Sequence, residues 1–290
     1  MSLIEFGKPI EKLIETVSAA IGVLYRPTAI RKEAEAKAYE IVRIAEADAQ
    51  VAIIKHDSDL EIANRVNQRL IHQETVRQNN LDSIVAKSAG YLPGSASEEP
   101  VNVDWRARFF NRAQDVSTEE MQEIWAKILA NEVASPGAIS LRTMDVVANL
   151  SPKEAQLFNV ACQLSFDNLR VLRTRHGDLE RFGLTYDDIL LLRYAGLIHD
   201  NDALTVIYSY IDEIGGAIIR VEDRKVLKVW QEGSTTPIQF GQLKFTPAGE
   251  EICRIIQPKM NTEYLAFFIE NKKDEGLRFE EIRMKNLNGE

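Results

Sequence analysis

Residues and motifs that mark disulfide-bonded, metal-binding or membrane-spanning proteins are scarce in this chain. It has only two cysteines, Cys162 and Cys253, each inside an apolar helical pattern where cysteine behaves as a small hydrophobe. We therefore expect neither a disulfide framework nor a cysteine-based metal site. No stretch approaches the ~18 consecutive apolar residues of a membrane-spanning helix. The N-terminus also lacks the pattern of a signal peptide, and these absences predict a cytoplasmic protein.

The short motifs of common catalytic and nucleotide-binding sites are missing as well. Gly7 and Lys8 form the only Gly-Lys pair, and Pro9 follows them without the upstream glycine of a P-loop. The chain contains no GxGxxG, HExxH, CxxC or GxSxG motif. We therefore expect a protein without enzymatic activity, metal or cofactor.

Positive charge is also in short supply. The formal net charge is -9 and the isoelectric point is near 5.2, which argues against non-specific attraction to DNA, RNA or anionic lipid. The hydrophobic fraction of 45% and the charged fraction of 27% are those of a folded globular protein. At 290 residues, two globular units, or one unit with an extended element, are expected.

What the chain does contain begins with an amphipathic helix at residues 9–24. Pro9 suits a first helical turn, and the apolar residues then recur at spacings of three and four. Pro27 breaks this helix because the residue before a proline is pushed out of the α region, and Thr28 can cap a second helix. Residues 29–87 contain no proline or glycine, so a continuous helix there would reach about 90 Å.

The apolar residues of this arm form a thin stripe, and such a stripe needs another helix to cover it. Ser58 and Arg65 interrupt the heptad, so neither a register nor an oligomer number is predicted. We predict a homo-oligomer or docking on a protein partner. The residues predicted to make the contact are Ile10, Leu13, Ile14, Val17, Ile21, Ile44, Val51, Ile54, Ile62, Val66 and Leu70.

Beyond the arm (residues 1–89), Gly, Pro and Ser concentrate in a predicted linker at residues 90–103. A helical bundle is expected at residues 104–182. A capping box from Ser117 to Glu120 would open its first helix, and Ser135, Pro136 and Gly137 would end that helix. Ser151 with Pro152 would open its last helix. Residues 183–290 are expected to form a small α+β domain. It would have a helix at residues 186–194 that ends at Gly196 and strands near 203–211, 217–221 and 226–230. A strand-to-helix transition is expected at residues 243–256, with Thr246 as cap and Pro247 at the first helical position.

Three parts of the chain resemble known families. The order of helix, LRYAGLI, β-hairpin and LKFTPAGEEI looks like the end of a winged-helix domain, although the expected recognition helix carries Asp187 and Asp188 and only Arg193 as a cation. Residues 116–158 and the N-terminal IEKLIETVSAAIGVLYRP resemble the bacterial family of unknown function numbered 2806. That resemblance implies a bacterial origin and a stress-response or phage-defence role, with no catalytic residues to transfer. EAEAKAYEIVRIAEADAQ is similar to the Ala/Glu-rich arms of stomatin, prohibitin and flotillin proteins.

The remaining candidate residues each have a structural explanation that is stronger than the functional one. His199 with Asp200 and Asp202 could form an acid/base cluster, but a hairpin turn needs the same residues. The histidines of the arm, His56 and His72, lack neighbouring metal ligands. The aromatic residues Trp105, Phe109, Phe110 and Trp125 have the spacing of a core rather than of a base-stacking platform. Two modest basic patches are candidates for docking an acidic helix or a phosphate, namely Arg106, Arg108 and Arg112, and Arg170, Arg173 and Arg175.

These observations favour a mainly α assembly, sensing or adaptor protein that associates through its arm and recognises another macromolecule through its C-terminal region. A winged-helix DNA-binding regulator is one alternative, and the acidic charge argues against it. A scaffold held peripherally at the inner membrane by residues 3–24 is another. The polar face of that helix carries Glu11 and Glu15 against Lys12 alone, so anionic lipid would not attract it.

Overall fold

The computed structural model of the chain describes residues 7–22, 59–167, 169–174, 178–201, 203–222 and 225–283. The chain divides into two compact units, Met1–Leu141 and Arg142–Glu290. Its described residues are mainly helical, with two small three-stranded antiparallel sheets in the second unit. The predicted fold class is therefore confirmed in its coarse form, as a mainly α chain with a smaller β component.

The first unit consists of four helices in its described residues. They are α1 (Lys8–Ile21), α2 (Asp59–Ala89), α3 (Val103–Ala113) and α4 (Glu119–Ala134). Helix α1 has Pro9 in its first turn and ends at Gly22, which adopts a φ of 73° that glycine accepts without strain. Helix α2 packs on α4 and α3, and α1 packs on all three of the others.

Aromatic rings fill the centre of the first unit. The ring centroid of Phe109 lies 5.0 Å from that of Trp105 and 5.2 Å from that of Trp125. All three side chains are buried, as is Phe110. The indole Nε1 of Trp105 donates a hydrogen bond to the Ile139 carbonyl at 2.9 Å. The prediction that these aromatic residues form a core is confirmed.

A buried carboxylate organises the turn that follows α4. Glu132, which is 1% exposed, accepts hydrogen bonds from the backbone N–H groups of Gly137 at 2.8 Å and Ile139 at 3.1 Å. Ser135 and Pro136 stop the helix as predicted, and the Glu132 side chain then satisfies two backbone donors of the turn.

The second unit alternates helices and strands. Its helices are α5 (Leu141–Asn149), which begins at the last residue of the first unit, α6 (Pro152–Gln163), α7 (Tyr186–Tyr194), α8 (Pro247–Ile256) and α9 (Thr262–Asp274), with a 3-10 helix at Asp178–Phe182. Its strands are β1 (Arg170–Leu172), β2 (Thr205–Tyr208), β3 (Ala217–Glu222), β4 (Lys225–Gln231), β5 (Ile238–Lys244) and β6 (Leu277–Arg283).

Both sheets are antiparallel, and each contains strands that are distant in sequence. One has the order β1-β5-β2, with Val171 opposite Leu243 and Thr205 opposite Gly241. The other has the order β3-β4-β6, with Val229 opposite Ala217 on one side and Phe279 on the other. The hairpin of β3 and β4 is inserted between β2 and β5, which themselves pair directly.

The helices of the second unit are held by local caps and by aromatic packing. Ser151 and Glu154 form a reciprocal capping box on α6, and the Thr246 hydroxyl accepts from Gly249 N at 3.1 Å to cap α8. Both caps were predicted from the sequence. The rings of Phe158 and Phe245 lie 5.1 Å apart. The Tyr264 hydroxyl of α9 donates to the Leu172 carbonyl of β1.

The predicted capping box at Ser117 is wrong. The N-cap of α4 is Thr118, and its side chain makes no capping hydrogen bond. The Ser117 hydroxyl instead accepts from Asn80 Nδ2 on α2 at 3.1 Å. A tertiary contact therefore engages the hydroxyl that the local motif would have used.

The predicted domain boundary at residues 90–103 also differs from the structure. These residues join α2 and α3 within one compact unit, because Ser97 N donates to the Ala134 carbonyl at 2.8 Å and Lys12 Nζ donates to the Ser97 carbonyl at 2.7 Å. Val101 is buried. The division between units lies after Leu141 instead, so the predicted bundle at residues 104–182 spans parts of both units.

Candidate functional site

The first candidate docking surface is the N-terminal half of α2. Its apolar residues Ile62, Val66, Leu70 and Val76 are 38% to 54% exposed. At about 100° per residue they fall within an arc of roughly 120° on the helix surface. We call these four residues the α2 stripe. It includes three of the predicted partner-binding residues, Ile62, Val66 and Leu70.

The two halves of α2 differ sharply in burial. No described side chain from Leu60 to Asn79 is buried, whereas Asn80, Ile84, Val85 and Ser88 are. The buried half is fixed to its neighbours by polar contacts too: Asn80 Nδ2 donates to the Gln114 carbonyl at 2.9 Å, and Ser83 Oγ donates to Gln122 Oε1 at 2.7 Å. The helix is therefore anchored at its C-terminal half and presents the α2 stripe beyond that anchor.

Helix α1 does not offer the partner-binding face that its periodicity predicted. Leu13 and Val17 are buried within the first unit, and Ile10, Ile14 and Ile21 are half-buried. The apolar side of α1 is therefore covered in part by helices of its own unit. The other predicted contact residues of the arm, Ile44, Val51 and Ile54, lie outside the described residues, as does His56.

The predicted basic patches are only partly assembled. Arg108 and Arg112 lie one turn apart on α3 and are exposed, while Arg106 points about 200° away from Arg108 around the helix and is half-buried. Arg170 and Arg173 are half-buried at β1, where Arg173 N donates to the Gly241 carbonyl at 2.8 Å. Arg175 lies outside the described residues.

The second candidate docking surface is the outer face of α7, and the sequence analysis missed it. Tyr186, Leu190 and Tyr194 recur at every fourth position and are all exposed, Tyr194 by 91%. We call these three residues the α7 stripe. On the opposite face Ile189 and Leu192 are buried. The four-residue spacing of aromatic and aliphatic side chains was visible in the sequence, but a core-facing stripe has the same spacing.

Local capping interactions define both ends of the helix that carries the α7 stripe. The Thr185 hydroxyl accepts from Asp188 N at 3.2 Å, and Asp188 Oδ2 accepts from Thr185 N at 3.0 Å, which completes a capping box. Gly196 ends the segment in the left-handed region at a φ of 77°. Both ends of α7 are therefore fixed, and its exposed face is rigid.

The third candidate is an open pocket in the second unit with a volume of about 710 Å³. Both cysteines of the chain, Cys162 on α6 and Cys253 on α8, line it together with Ser165. The neighbouring Cys162 thiol lowers the pKa of the Cys253 thiol against the opposing effect of burial. The Ser165 hydroxyl and the positive charge of Arg254 lower that pKa further. Burial raises the pKa of Cys162.

Charged groups surround the mouth of this pocket. Arg220, Arg254 and Lys259 line it, and the guanidinium of Arg254 is paired with Glu250 at 3.0 Å. The buried Asp167 carboxylate accepts from the Tyr208 hydroxyl and from Arg220 N at 3.1 Å. Cationic side chains therefore outnumber the carboxylates among the lining residues.

Backbone strain is concentrated at the same pocket. In the described part of the chain, the non-glycine residues with positive φ are Asp167, Leu169 and Gln257, and all three line the pocket. Such conformations cost of order 1–3 kcal/mol each and persist only where the surrounding structure holds them. The pocket wall is thus a constrained part of the second unit.

The described residues contain no metal centre and no spanning helix. No group of three or more His, Cys, Asp or Glu side chains among them is placed to hold a metal ion. His199 lies next to β5, and its backbone N donates to the Lys244 carbonyl at 2.9 Å. His176 and Asp202 lie outside the described residues. None of the described helices is long and apolar enough to cross a bilayer.

Comparison with known protein families gives one match. A family model described as "Protein of unknown function (DUF2806)" matches residues 64–269. The chain belongs to this family. The DUF2806 match begins within α2, ends within α9 and includes Val66, Leu70, the α7 stripe and both cysteines. A search of curated proteins finds no match for the chain, and a search of solved structures finds none either.

Proposed function

We propose that this protein is a non-enzymatic assembly or adaptor protein that self-associates through the α2 stripe and recognises a second macromolecule through the α7 stripe. The observation that carries the proposal is the exposure of Ile62, Val66 and Leu70 on one face of an anchored helix. Isolated exposed apolar residues are ordinary on protein surfaces, but an aligned set on one helix face is typical of an interaction site.

A second copy of the chain is the partner best suited to the α2 stripe. The stripe extends over about 21 Å of helix, because it covers four turns at 1.5 Å per residue. The same surface on two protomers can pair about a twofold axis and bury both stripes at once. Arg69 and Gln73 fall within the same arc, so the stripe is not a continuous heptad seam. Association should therefore be reversible and concentration-dependent.

Sedimentation velocity of the full chain over a range of concentrations tests the self-association. We expect an oligomer at micromolar concentration that dissociates in a Val66→Asp, Leu70→Asp variant, since two carboxylates would lie in the interface. Gln68→Asp is the matched control, because it adds charge to the same turn on the opposite face. A full-length chain that stays monomeric, or an oligomer unaffected by the double variant, would reject the proposal.

Support for a recognition role of α7 comes from the order of elements around it. Helix α6, strand β1, the 3-10 helix, α7 and β2 follow one another, β5 comes after the inserted β3-β4 hairpin, and the sheet has the order β1-β5-β2. We interpret this succession as winged-helix-like, with the β3-β4 hairpin at the position of a wing and α7 at that of the recognition helix. In such domains the helix at this position commonly contacts the partner.

The chemistry of α7 favours a protein partner over nucleic acid. Its outward residues are the aromatic and aliphatic side chains of the α7 stripe, with the exposed acid Asp187 beside them. Phosphate-facing helices instead carry clustered Lys and Arg. Aromatic residues are enriched at protein interfaces, where they bury a large area at a small cost in side-chain entropy.

Affinity capture from a bacterial host with the wild-type chain, a Tyr194→Asp variant and a Lys153→Ala control tests this role. We expect at least one protein that is retained by the wild type and the control and lost with Tyr194→Asp. The alternative of a DNA-binding regulator is tested by anisotropy of a labelled duplex. Binding that weakens steeply with salt would favour that alternative, whereas no binding at low salt favours the protein partner.

A further inference from the structure

The two cysteines of the chain are far apart in sequence and meet at one place in the fold. Helices α6 and α8 pack together, and each contributes one thiol to the wall of the 710 Å³ pocket. The two thiols are close enough to shift each other's pKa. Forming a disulfide from this arrangement requires the two sulfurs to approach to about 2 Å.

We propose that Cys162 and Cys253 form an oxidation site, at which a hydroperoxide entering the pocket converts the two thiols into a reversible disulfide between α6 and α8. This proposal is independent of the docking surfaces. Both cysteines are buried, with Cys162 2% and Cys253 1% exposed, so an oxidant would reach them through the pocket, which Arg254 and Ser165 also line. Oxidation would tie the capped helix α8 covalently to α6.

The surroundings of the two sulfurs assign them different roles. We assign the attack to Cys253, because Arg254 and Ser165 line the pocket with it and, together with the Cys162 thiol, favour its thiolate. Cys162 is the sulfur that resolves, because burial raises its pKa and keeps it protonated until it reacts. This division is typical of redox-sensitive pairs.

The reaction balances in two steps. The Cys253 thiolate attacks one peroxide oxygen, the O–O bond breaks, and the other oxygen leaves as water or an alcohol after taking up a proton. Cys253 is then a sulfenic acid. The Cys162 sulfur attacks the Cys253 sulfur, the S–S bond forms, and the S–O bond breaks to release water with the Cys162 proton. The hydroperoxide gains two electrons and the two thiols lose them. A dithiol reductant converts the disulfide back to two thiols.

Mass spectrometry of the intact full-length chain tests the proposal with hydrogen peroxide as the probe. Reduced protein is treated with peroxide, then unfolded in the presence of N-ethylmaleimide. We expect a chain that has lost two hydrogens and takes up no maleimide, and a Cys162–Cys253 linked peptide on digestion. After dithiothreitol the same chain should take up two maleimides. The reaction should be much faster in the folded chain than in urea, because only the fold brings the two sulfurs together.

Three variants test the assigned roles, each checked for native circular dichroism. Cys162→Ala should accumulate a dimedone-reactive sulfenic acid on Cys253, and Cys253→Ala should leave Cys162 largely unmodified. Arg254→Gln, at an exposed position, should slow disulfide formation several-fold. Thiols that survive peroxide, disulfides that link two chains, or equal rates in folded and unfolded protein would overturn the proposal. Equal dimedone labelling of the two alanine variants would overturn the assignment of Cys253 as the attacking sulfur and Cys162 as the resolving sulfur.

Discussion

At the scale of single residues, the buried carboxylate of Glu132 holds the turn after α4 through two backbone N–H groups. Glu132→Ala leaves both donors without their acceptor in a buried site, and we expect a loss of about 3 kcal/mol in the free energy of unfolding. Glu132→Gln retains one acceptor oxygen and should lose less. Urea unfolding followed by circular dichroism measures both. An alanine variant as stable as the wild type would show that desolvation of the carboxylate cancels its hydrogen bonds.

The hydrogen-bonded pair of Tyr208 and Asp167 makes the stability of the folded chain depend on pH. Burial and the hydrogen bond to Asp167 raise the pKa of the Tyr208 hydroxyl. The unfolded chain loses this proton near pH ~10, while the folded chain retains it to higher pH. The folded state then binds more protons, so the stability contributed by the pair is full below pH ~10 and falls as pH rises further.

Tyr208→Phe tests this dependence. The variant should be less stable by about 1–2 kcal/mol at neutral pH, because Asp167 loses a donor. Its stability should also fall less steeply than that of the wild type between about pH 9 and pH 11. Urea midpoints measured across this range compare the two slopes. Identical slopes would mean that Tyr208 is not retained as a phenol in the folded chain.

At the scale of elements, the approach of α8 to the segment after α7 depends on one glycine. A Cβ at Gly249 would lie 2.2 Å from the Leu197 carbonyl oxygen, and backbone atoms cannot move aside as a side-chain end can. Gly249→Ala should therefore displace α8 and lower the unfolding free energy by about 3 kcal/mol. Gly241→Ala is the matched control, since its Cβ would meet only Arg173 Cβ at 3.9 Å. Thermal melts of the two variants should differ clearly, and equal melts would contradict the close contact.

The helices also show why amphipathic periodicity does not identify a docking surface. Both α1 and α2 carry apolar stripes, yet α1 buries Leu13 and Val17 inside its own unit while α2 leaves Ile62 and Leu70 exposed. Helix α7 has an outward aromatic and aliphatic face that resembles a core face in sequence. The difference depends on which neighbours cover each face, and spacing along one helix carries no information about neighbours.

At the scale of the whole molecule, each compact unit has a core of its own. The second unit contains the Phe158–Phe245 contact and the Phe166–Phe268 contact at 5.5 Å, all within residues 142–290. We expect a fragment of residues 142–290 to fold alone and to unfold cooperatively in urea, with the circular dichroism of a mixed α and β chain. A fragment beginning at residue 104, the predicted boundary, serves as the comparison. A non-cooperative transition for 142–290 would contradict the division at Leu141.

Much of the secondary structure follows from the sequence alone because its causes are local. Helices begin or end where the patterns predicted at Pro9, at Ser151 with Pro152, at Thr246 with Pro247 and at Gly196, since caps and turn conformations depend on residues within a few positions. The aromatic core of the first unit was also predictable from helical spacing. Strands β1 and β6 were not, because short strands are defined by partners that lie far along the chain.

Only the tertiary structure determines the contacts between residues that are distant in sequence. In the folded chain the Ser117 hydroxyl bonds to Asn80 and does not cap a helix, and residues 90–103 belong to the first unit. The α2 stripe and the α7 stripe remain exposed. The tertiary structure also brings Cys162 and Cys253, each a small apolar residue by sequence pattern, together in one pocket. Burial and contact depend on which distant segments pack together, so a local pattern can identify a helix or a cap but not the surface or the thiol pair that the fold creates.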